Sequence, residues 1–568
     1  MLVVRARILI AAALSALPGL AHAQPVASLP LKRTPEPTTP AITAADLMTR
    51  LYIFADDSMM GREVGTIYNL KATAYIEREV RRMGLQPGGD SGTFFQNLPI
   101  FDHVLAAGNV ITVDDKKFAA GTDYVPRDNA VFGKVRPFDG ASVIYGGVFS
   151  PQGDTSKMVS PAAAAGKYVV ISVPNGADGK PMWGGNRQQL TGYYLGSAGV
   201  AVIGLDAVDA ATRAQLLEPA QSYKVERPDQ LEVPSFMYIT RAMGEALLGA
   251  PAAGLTRGAA GRTIHGALVF DERRAPGRNV VAILPGTDPK LKGQFVAIGA
   301  HNDHVGFNRE PVDHDSLRAF NTVIRPNGAE DPERAPTAEE ATRIRQLLDS
   351  LRKIRPARKD SIFNGADDDG SGSVATLEIA EAFAKSDVKP KRSIVFVWHA
   401  GEEKGLWGSE YFTDHPTVPR DSIVAQLNID MIGRGGTVDL KEGGPGYLQL
   451  IGSRRLSTEL GDLVEAVGKT EPVPFKFDYT FDANGHPSQY YCRSDHYEYA
   501  RYGIPITFFS TGSHRDYHQV TDEPQYIDYD QLARVATLVH DVALRVANLD
   551  HRIVVDKPKP DPRGRCVQ

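Results

Sequence analysis

Cysteine is nearly absent from this sequence, since 568 residues contain only Cys492 and Cys566. Two thiolates cannot form the cysteine-rich sites typical of structural zinc, so any metal here must be held by histidine and carboxylate side chains. The two cysteines can form a disulfide only if their Cα atoms lie close together. The sequence does not decide this, and their pairing stays open.

An excess of basic charge is also lacking, because 63 Lys and Arg residues face 68 Asp and Glu residues and the formal net charge is -5. This balance argues against a nucleic-acid partner. The composition, 42% hydrophobic and 23% charged, is that of a soluble globular protein. A chain of this length predicts one main domain of about 300 residues with one or two further units. The oligomeric state stays open.

The sequence has no apolar run long enough to span a bilayer. The longest candidate, Ile8–Leu20, is about 13 residues long, and a spanning helix needs about 20. Arg5 and Arg7 precede this run, and an A-x-A pattern follows it at 21–23. These features predict a signal peptide over 1–23, export to the periplasm or medium, and no stable membrane insertion. A membrane anchor is the alternative.

The rest of the chain divides into segments that differ in amino-acid composition and periodicity. Residues 24–43 are proline-rich and predict a flexible leader, and residues 551–568 form a loose tail. Residues 44–104 include a helical segment at 44–84, which we expect to pack on the main domain. Its candidates for burial are Leu47, Leu51, Tyr75, Ile76 and Val80.

Residues 105–272 predict a separate, mostly β insert domain, because short β-rich runs alternate there with glycine-rich turns. A helix is expected at 186–198 between two of the strands. The strand candidates are Asn109–Val113, Ala141–Tyr145, Lys167–Val173, Val200–Leu205 and Ser235–Ile239.

Strands and helices alternate over 273–550, which predicts an α/β domain with a mostly parallel, mixed sheet sandwiched by helices. In such sheets, sites form beyond the carboxyl ends of the strands. The strand candidates are Val280–Leu284, Phe295–Gly299, Ser393–Trp398, Val424–Ile429 and Ile504–Phe509, and the helix candidates are Val374–Lys385, Leu456–Val467 and Gln531–Asn548.

A charge-rich insertion at 306–362 lies between two short polar segments, AHNDH (300–304) and NGADDDGSG (364–372). Thr337 and Glu340 have the spacing of a capping box at the start of a helix. The insertion is either a surface helix pair or a lid over the site.

Five short segments place metal-binding side chains at or after predicted strand ends. Taken singly, each is weak, because a DDDG run is often a solvated or calcium-binding loop and a Glu pair is often only surface charge. Together they offer two histidines and three carboxylates, which suits a pair of zinc ions that share a carboxylate. The segments are AHNDH (300–304), NGADDDGSG (364–372), HAGEE (399–403), NIDM (428–431) and DYH (516–518).

These segments resemble the zinc peptidases of family M28. The matching stretches are GAHNDH (299–304), NGADDDGSG (364–372), WHAGEEKGLWGSEYF (398–412), LNIDMIG (427–433), SDHYEYARYGIP (494–505) and YHQVTDE (517–523). The resemblance covers roughly 279–548 and the helical segment before 105, and it implies the zinc-exopeptidase (phosphorylase/hydrolase-like) fold.

The resemblance also implies roles for individual residues and a cofactor of two Zn²⁺ per chain. One zinc would be bound by His301 and Asp430, and the other by Glu403 and His518. Asp368 would bridge both ions. The neighbouring Glu402 would act as the general base, and Asp303 and Asp495 would support the ligands from behind.

The segment 105–272 resembles the protease-associated (PA) domain. The matching stretches are GKYVVISVP (166–174), LGSAGVAVIGLD (195–206) and VPSFMYITRAMGEALL (233–248). This resemblance rests on texture more than on invariant residues.

We therefore expect an exported exopeptidase that acts on peptides. An aminopeptidase is favoured over a carboxypeptidase or dipeptidase of the glutamate carboxypeptidase type. Arg434, Arg493 and Tyr491 are candidates for contacts with substrate, although both arginines could equally form structural ion pairs. Tyr490 and Tyr491 could both line the pocket, or could pack in the core or on the surface. Two further possibilities are glutaminyl cyclisation with one zinc and a receptor-like protein without metal.

Overall fold

The structure is a computed structural model, and it describes residues 29–568 apart from 128, 130–132, 151–153, 176–185, 211–212, 214–215, 218–219, 224–230 and 333. The predicted signal peptide lies outside the described residues. No helix in the described part of the chain has the length and apolarity needed to cross a membrane.

A nine-stranded mixed sheet forms the centre of the α/β part. Its four central strands are parallel. The strands on either side of this group pair antiparallel with it, and of the outermost strands Lys476–Asp478 pairs parallel with its neighbour while Gln86–Pro87 and Phe95–Asn97 pair antiparallel. The sheet is therefore mixed, as predicted, and its parallel part is mainly the centre. In spatial order the strands are Gln86–Pro87, Arg278–Leu284, Ser393–His399, Phe295–His301, Ile423–Ile429, Ile506–Ser510, Tyr447–Ile451 and Lys476–Asp478, and Phe95–Asn97 also pairs with Arg278–Leu284.

Both faces of this sheet are buried. Along the strand Ser393–His399, Ile394 and Phe396 belong to one hydrophobic cluster and Val395 and Val397 to another. Successive side chains of a strand point to opposite faces, so a strand that is covered on both sides is a continuous apolar run. This explains why the run was readable as a strand from the sequence.

Helices cover the two faces. The larger group packs on the first cluster and consists of Ala44–Phe54, Ile67–Met83, Gly372–Lys385, Thr458–Thr470 and Tyr529–Asn548. The opposite face carries two short helices, Trp407–Asp414 and His496–Ala500.

The predicted helical segment 44–84 is two helices, separated by a turn at Asp57–Arg62. Gly61 has φ +68, and a Cβ there would lie 2.0 Å from the carbonyl oxygen of Gly306. The close approach of this turn to a distant loop breaks the helix, a constraint that helical periodicity does not show.

A second, eight-stranded sheet lies within 110–265. Its strands in spatial order are Lys116–Ala119, Val110–Val113, Ala260–His265, Ala141–Val148, Tyr168–Ser172, Gly199–Ile203, Ser235–Ile239 and Tyr124–Arg127, and its helices are Pro161–Ala164, Asn186–Tyr193 and Arg241–Leu248. A separate three-stranded sheet consists of Ala220–Tyr223, Ile100–Leu105 and Phe270–Ala275. A two-stranded pair joins Glu232–Val233 to Lys134–Val135.

The insertion at 306–362 forms a two-stranded ribbon, Phe307–Asp313 with Lys359–Ile362, and two helices, His314–Ile324 and Ala338–Ile354. The predicted capping box is confirmed, because Thr337 and Glu340 make both of its hydrogen bonds. A disulfide joins Cys492 to Cys566, whose Cα atoms lie 5.8 Å apart.

Candidate metal centre

The five segments converge at the carboxyl end of the central parallel strands. His301 ends the strand Phe295–His301, and Asp430 directly follows Ile423–Ile429. The Glu402–Glu403 pair follows the strand Ser393–His399. Asp368 lies just before the helix Gly372–Lys385 and is almost fully buried.

Two groups of potential metal donors lie side by side. In the first, Nε2 of His301 lies 3.1 Å from Oδ1 of Asp368 and 3.7 Å from Oδ1 of Asp430. In the second, Nε2 of His518 lies 3.1 Å from Oδ2 of Asp368 and 3.0 Å from Oε2 of Glu403. The two oxygens of one carboxylate, that of Asp368, therefore face both groups.

His304 joins the second group, although sequence reasoning assigned it no role. Its Nδ1 lies 2.6 Å from Oε1 of Glu403 and 3.8 Å from Oδ2 of Asp368. The only sequence signal for it is its place in the AHNDH segment, three residues after His301.

This donor set fits divalent metal ions. Ligands placed 2.0–2.2 Å from a tetrahedral zinc lie about 3.4 Å from one another, and the donor atoms of each group lie within 4.8 Å of one another. Nε2 of His301 and of His518 and Oδ2 of Asp368 are buried without a hydrogen-bond partner among the described residues. A bound cation would satisfy these atoms.

The site also holds a surplus of buried negative charge. Burial, reinforced by the charges of Glu403, Asp430 and Asp495, raises the pKa of Glu402 well above its usual range. Burial lowers the pKa of His518, but Asp368 and Glu403 outweigh this effect and raise it to about 10. Two divalent cations would relieve this repulsion.

Asp369 ties together three of the segments. Its carboxylate accepts hydrogen bonds from the backbone N–H groups of His301 at 3.1 Å, Gly372 at 2.8 Å and Met431 at 3.3 Å. The sequence showed it only as part of an aspartate run, and its partners lie too far along the chain to be read from spacing.

The loop that carries Asp368 is anchored from two other sides. The carboxylate of Asp522 accepts hydrogen bonds from the backbone N–H groups of Asp367 and Asp368, at 3.0 and 3.2 Å. The buried guanidinium of Arg62 donates to the carbonyl oxygens of Asn364 at 2.5 Å and Gly365 at 2.9 Å. The turn Asp57–Arg62, which separates the first two helices, thus supports the loop that carries Asp368.

The two residues expected to support the ligands differ in placement. Asp303 lies between His301 and Glu402, because its Oδ1 is 3.7 Å from Nδ1 of His301 and accepts the backbone N–H of Glu402 at 3.2 Å. Its carbonyl oxygen is closer to Nδ1 of His301, at 3.1 Å. Asp495 is buried 3.4 Å from Nδ1 of His399 and acts on Glu402 through its charge.

A cavity of about 400 Å³, which includes space open to solvent, lies beside the donors. The described residues that line it include Asp368, Glu402, Asp430, Met431, Tyr490, Arg493, Ser494, Phe508, Ser510, Ser513 and Tyr517.

Of the three candidates for substrate contacts, the structure places only Arg493 in this cavity. Arg434 is buried and paired with Asp439 at 2.6 Å and Asp516 at 3.0 Å, so it is a structural ion-pair former. Tyr491 is 3% exposed and belongs to the hydrophobic core. Its neighbour Tyr490 lines the cavity instead, and local sequence could not tell the two apart.

The insertion packs against the segment that carries His518. Arg318 pairs with Asp516 at 2.9 Å, and Nε2 of His314 lies 2.7 Å from Glu523. Arg358 also pairs with Glu523. One helix of the insertion is therefore fixed to the rim of the site, while the helix Ala338–Ile354 has no buried residue.

The fold and the donor set are those of an α/β protein with a candidate two-metal centre. Residues 279–543 match the model described as peptidase family M28, and this part of the chain belongs to that family.

Among curated proteins, the similar ones include leupeptin-inactivating enzyme 1 of Streptomyces exfoliatus, 30% identical over 169 residues, or 29% of this chain and 33% of that protein. Leucine aminopeptidase 1 of Paracoccidioides brasiliensis (strain Pb18) is 31% identical over 185 residues, or 31% of this chain and 44% of that protein. The chain thus spans less than half the length of these relatives.

Among solved structures, an aminopeptidase from Aneurinibacillus sp. strain AM-1 is 17% identical, with 91% of this chain and 97% of that chain covered, at a TM-score of 0.46. A zinc aminopeptidase from Bacillus subtilis is 15% identical, with 89% and 95% covered, at a TM-score of 0.45.

Proposed function

We propose that this protein is an exported two-zinc aminopeptidase that releases N-terminal residues from peptides. The observation that carries the proposal is the position of Asp368, whose two carboxylate oxygens face two separate donor groups. Glu402 lines the cavity beside them, 4.0 Å from Nε2 of His301.

In this proposal, His301, Asp430 and Asp368 would hold one zinc, and Glu403, His518 and Asp368 would hold the other. His304 lies beside the second ion, against Glu403. Zinc bound at these positions would lower the pKa of a water molecule and polarise the carbonyl group of the substrate.

Glu402 handles the proton in this mechanism. Its carboxylate takes a proton from the attacking water and then donates it to the nitrogen of the leaving amine. Asp303 contacts the backbone of Glu402 and the ring of His301, and it keeps both in position.

Two considerations favour cleavage at the amino end of the substrate. Matched relatives are named leucine aminopeptidases, and the carboxylates in the cavity suit a free α-ammonium group. A carboxypeptidase or dipeptidase is the second candidate, because the cavity also contains Arg493. The complete donor set argues against a metal-free receptor.

We also propose that the sheet within 110–265 is the core of a PA-like insert domain.

Glu402→Gln tests the proposal. It should lower kcat for an aminoacyl anilide by orders of magnitude while the purified protein keeps about two zinc ions, measured by elemental analysis. Glu339→Gln, on an exposed helix of the insertion, is the matched control and should change neither value. Normal turnover by Glu402→Gln would refute the role of Glu402, and cleavage of N-acetylated peptides in preference to free ones would refute aminopeptidase action.

A further inference from the structure

The turn at 328–331 of the insertion reaches the wall of the cavity. The backbone N–H of Ala329 donates to the carbonyl oxygen of Ser513 at 2.9 Å. Gly328 has φ +102, and a Cβ there would lie 2.2 Å from the same oxygen. Only glycine permits this contact, which fixes Glu330 beside the cavity.

The carboxylate of Glu330 contacts residues of the cavity and its rim. Its Oε1 accepts a hydrogen bond from the hydroxyl of Tyr490 at 3.2 Å and lies 3.6 Å from Nη1 of Arg493. Its Oε2 accepts from Ser488 at 3.1 Å. Tyr490 is in turn 2.8 Å from Oγ of Ser513. The insertion therefore supplies part of the outer wall of the site.

Arg493 is the only cationic side chain among the described residues that line the cavity, and the other charged ones are the acidic Asp368, Glu402 and Asp430. Its guanidinium donates to the hydroxyl of Tyr517 at 3.4 Å, and the ring of Tyr517 stacks on His518. These contacts hold the cation on the side of the cavity next to the second donor group.

The ion pair between Glu330 and Arg493 is weak enough for another carboxylate to replace Glu330. Both side chains are about half exposed, at 45% and 44%, and their closest charged atoms are 3.6 Å apart. Exposed pairs of this kind hold weakly, in contrast to the buried pair of Arg434 with Asp439 at 2.6 Å. A second carboxylate in the cavity can therefore compete with Glu330 for the guanidinium, which favours bidentate contact with carboxylates.

We propose that Arg493 binds the free α-carboxylate of the substrate, with Glu330 as its partner when no substrate is bound, so that dipeptides are preferred. This inference rests on the proposed function. The arginine shares one cavity with Glu402 and Asp430, so a carboxylate bound there belongs to a short substrate.

The test compares kcat/KM for leucylglycine, leucylglycine amide and leucine 4-nitroanilide, of which only the first has a carboxylate. The wild type should prefer the dipeptide over its amide by about tenfold or more, the range of a charge-assisted hydrogen bond. Arg493→Gln should remove this preference mainly through KM and leave the amide and anilide nearly unchanged. Arg493→Lys should retain part of it.

Glu330→Gln provides a second, opposite test. It removes the competing carboxylate, so KM for the dipeptide should fall while KM for the amide stays the same. Arg454→Gln is the matched control, because this arginine is 34% exposed and pairs with Asp462 and Glu465 away from the cavity. It should leave all three substrates unaffected.

Equal wild-type activity on dipeptide and amide would overturn the inference, as would an Arg493→Gln variant that loses both equally. Failure of the proposed function looks different. A wild type that cleaves none of the three substrates would refute the aminopeptidase and the inference together. Cleavage of N-acetylated dipeptides that depends on Arg493 would refute aminopeptidase action but support the carboxylate contact.

Discussion

Asp369→Asn should weaken zinc binding without removing any proposed ligand. The side chain keeps its shape, and its remaining oxygen can still accept from Gly372 and Met431. The new NH₂ group faces the backbone N–H of His301, which Oδ2 of Asp369 now accepts at 3.1 Å. Two donors then oppose each other at the end of the strand that positions His301.

The structure sets the size of this effect. Loss of one hydrogen bond to a charged group costs about 1.5–3 kcal/mol, and changes behind metal ligands lower metal affinity by roughly 10–100-fold. Burial and the charge of Asp430 raise the pKa of Asp369 well above its usual range in the metal-free chain. Asp369 accepts three backbone N–H groups from the segments that carry the proposed ligands, so the variant should bind zinc roughly 10–100-fold more weakly.

Competition with a chromophoric chelator would measure zinc affinity, and urea unfolding with and without zinc would measure stability. Asp462→Asn is the control, because this aspartate is 67% exposed and pairs with Arg454 at the surface. Wild-type zinc affinity in Asp369→Asn would refute the argument that this carboxylate positions the metal loops.

The disulfide, one buried histidine and the metal site each carry a further prediction. Replacing both Cys492 and Cys566 by serine should lower the free energy of unfolding by about 2–4 kcal/mol, and an unchanged urea unfolding curve would contradict this. The same change should raise KM for a dipeptide, because Arg493 directly follows Cys492 in the chain. Burial lowers the pKa of His496 to about 3, so stability should fall as pH drops below about 6.5, by about 2 kcal/mol between pH 7.5 and 5. His496→Leu should lack this part of the pH dependence when the free energy of urea unfolding is measured between pH 7.5 and 5. The same pH dependence in the variant and the wild type would contradict the prediction. Chelation of zinc should lower Tm, because metal that binds only the folded state stabilises it; calorimetry that shows equal Tm would oppose this.

The central strands were readable from the sequence because burial on both faces makes each one a continuous apolar run. The strand predicted at Phe295–Gly299 runs to His301, and the one predicted at Ser393–Trp398 runs to His399. Each predicted strand ended where the segment with metal-binding side chains starts, but the backbone pairing continues to His301 and His399 within those segments. The edge strands were missed because Gln86–Pro87 and Phe95–Asn97 are too short to show a period.

The convergence of the donor segments could be predicted from their positions at strand ends. The supporting contacts could not, because they join residues far apart in the chain: Arg62 reaches the carbonyl of Gly365, and Asp522 reaches the backbone of Asp368. Arg434 and Arg493 also looked alike in sequence, since each lies next to a motif residue. Their burial distinguishes the two: Arg434 is buried in an ion pair with Asp516, whereas Arg493 lines the cavity.

The most direct test of the two-metal account is anomalous scattering from crystals of the zinc-loaded protein, with data collected on both sides of the zinc absorption edge. The account predicts two zinc peaks about 3.5–4 Å apart, one on each carboxylate oxygen of Asp368. A single peak, or two peaks that Asp368 does not contact, would contradict it.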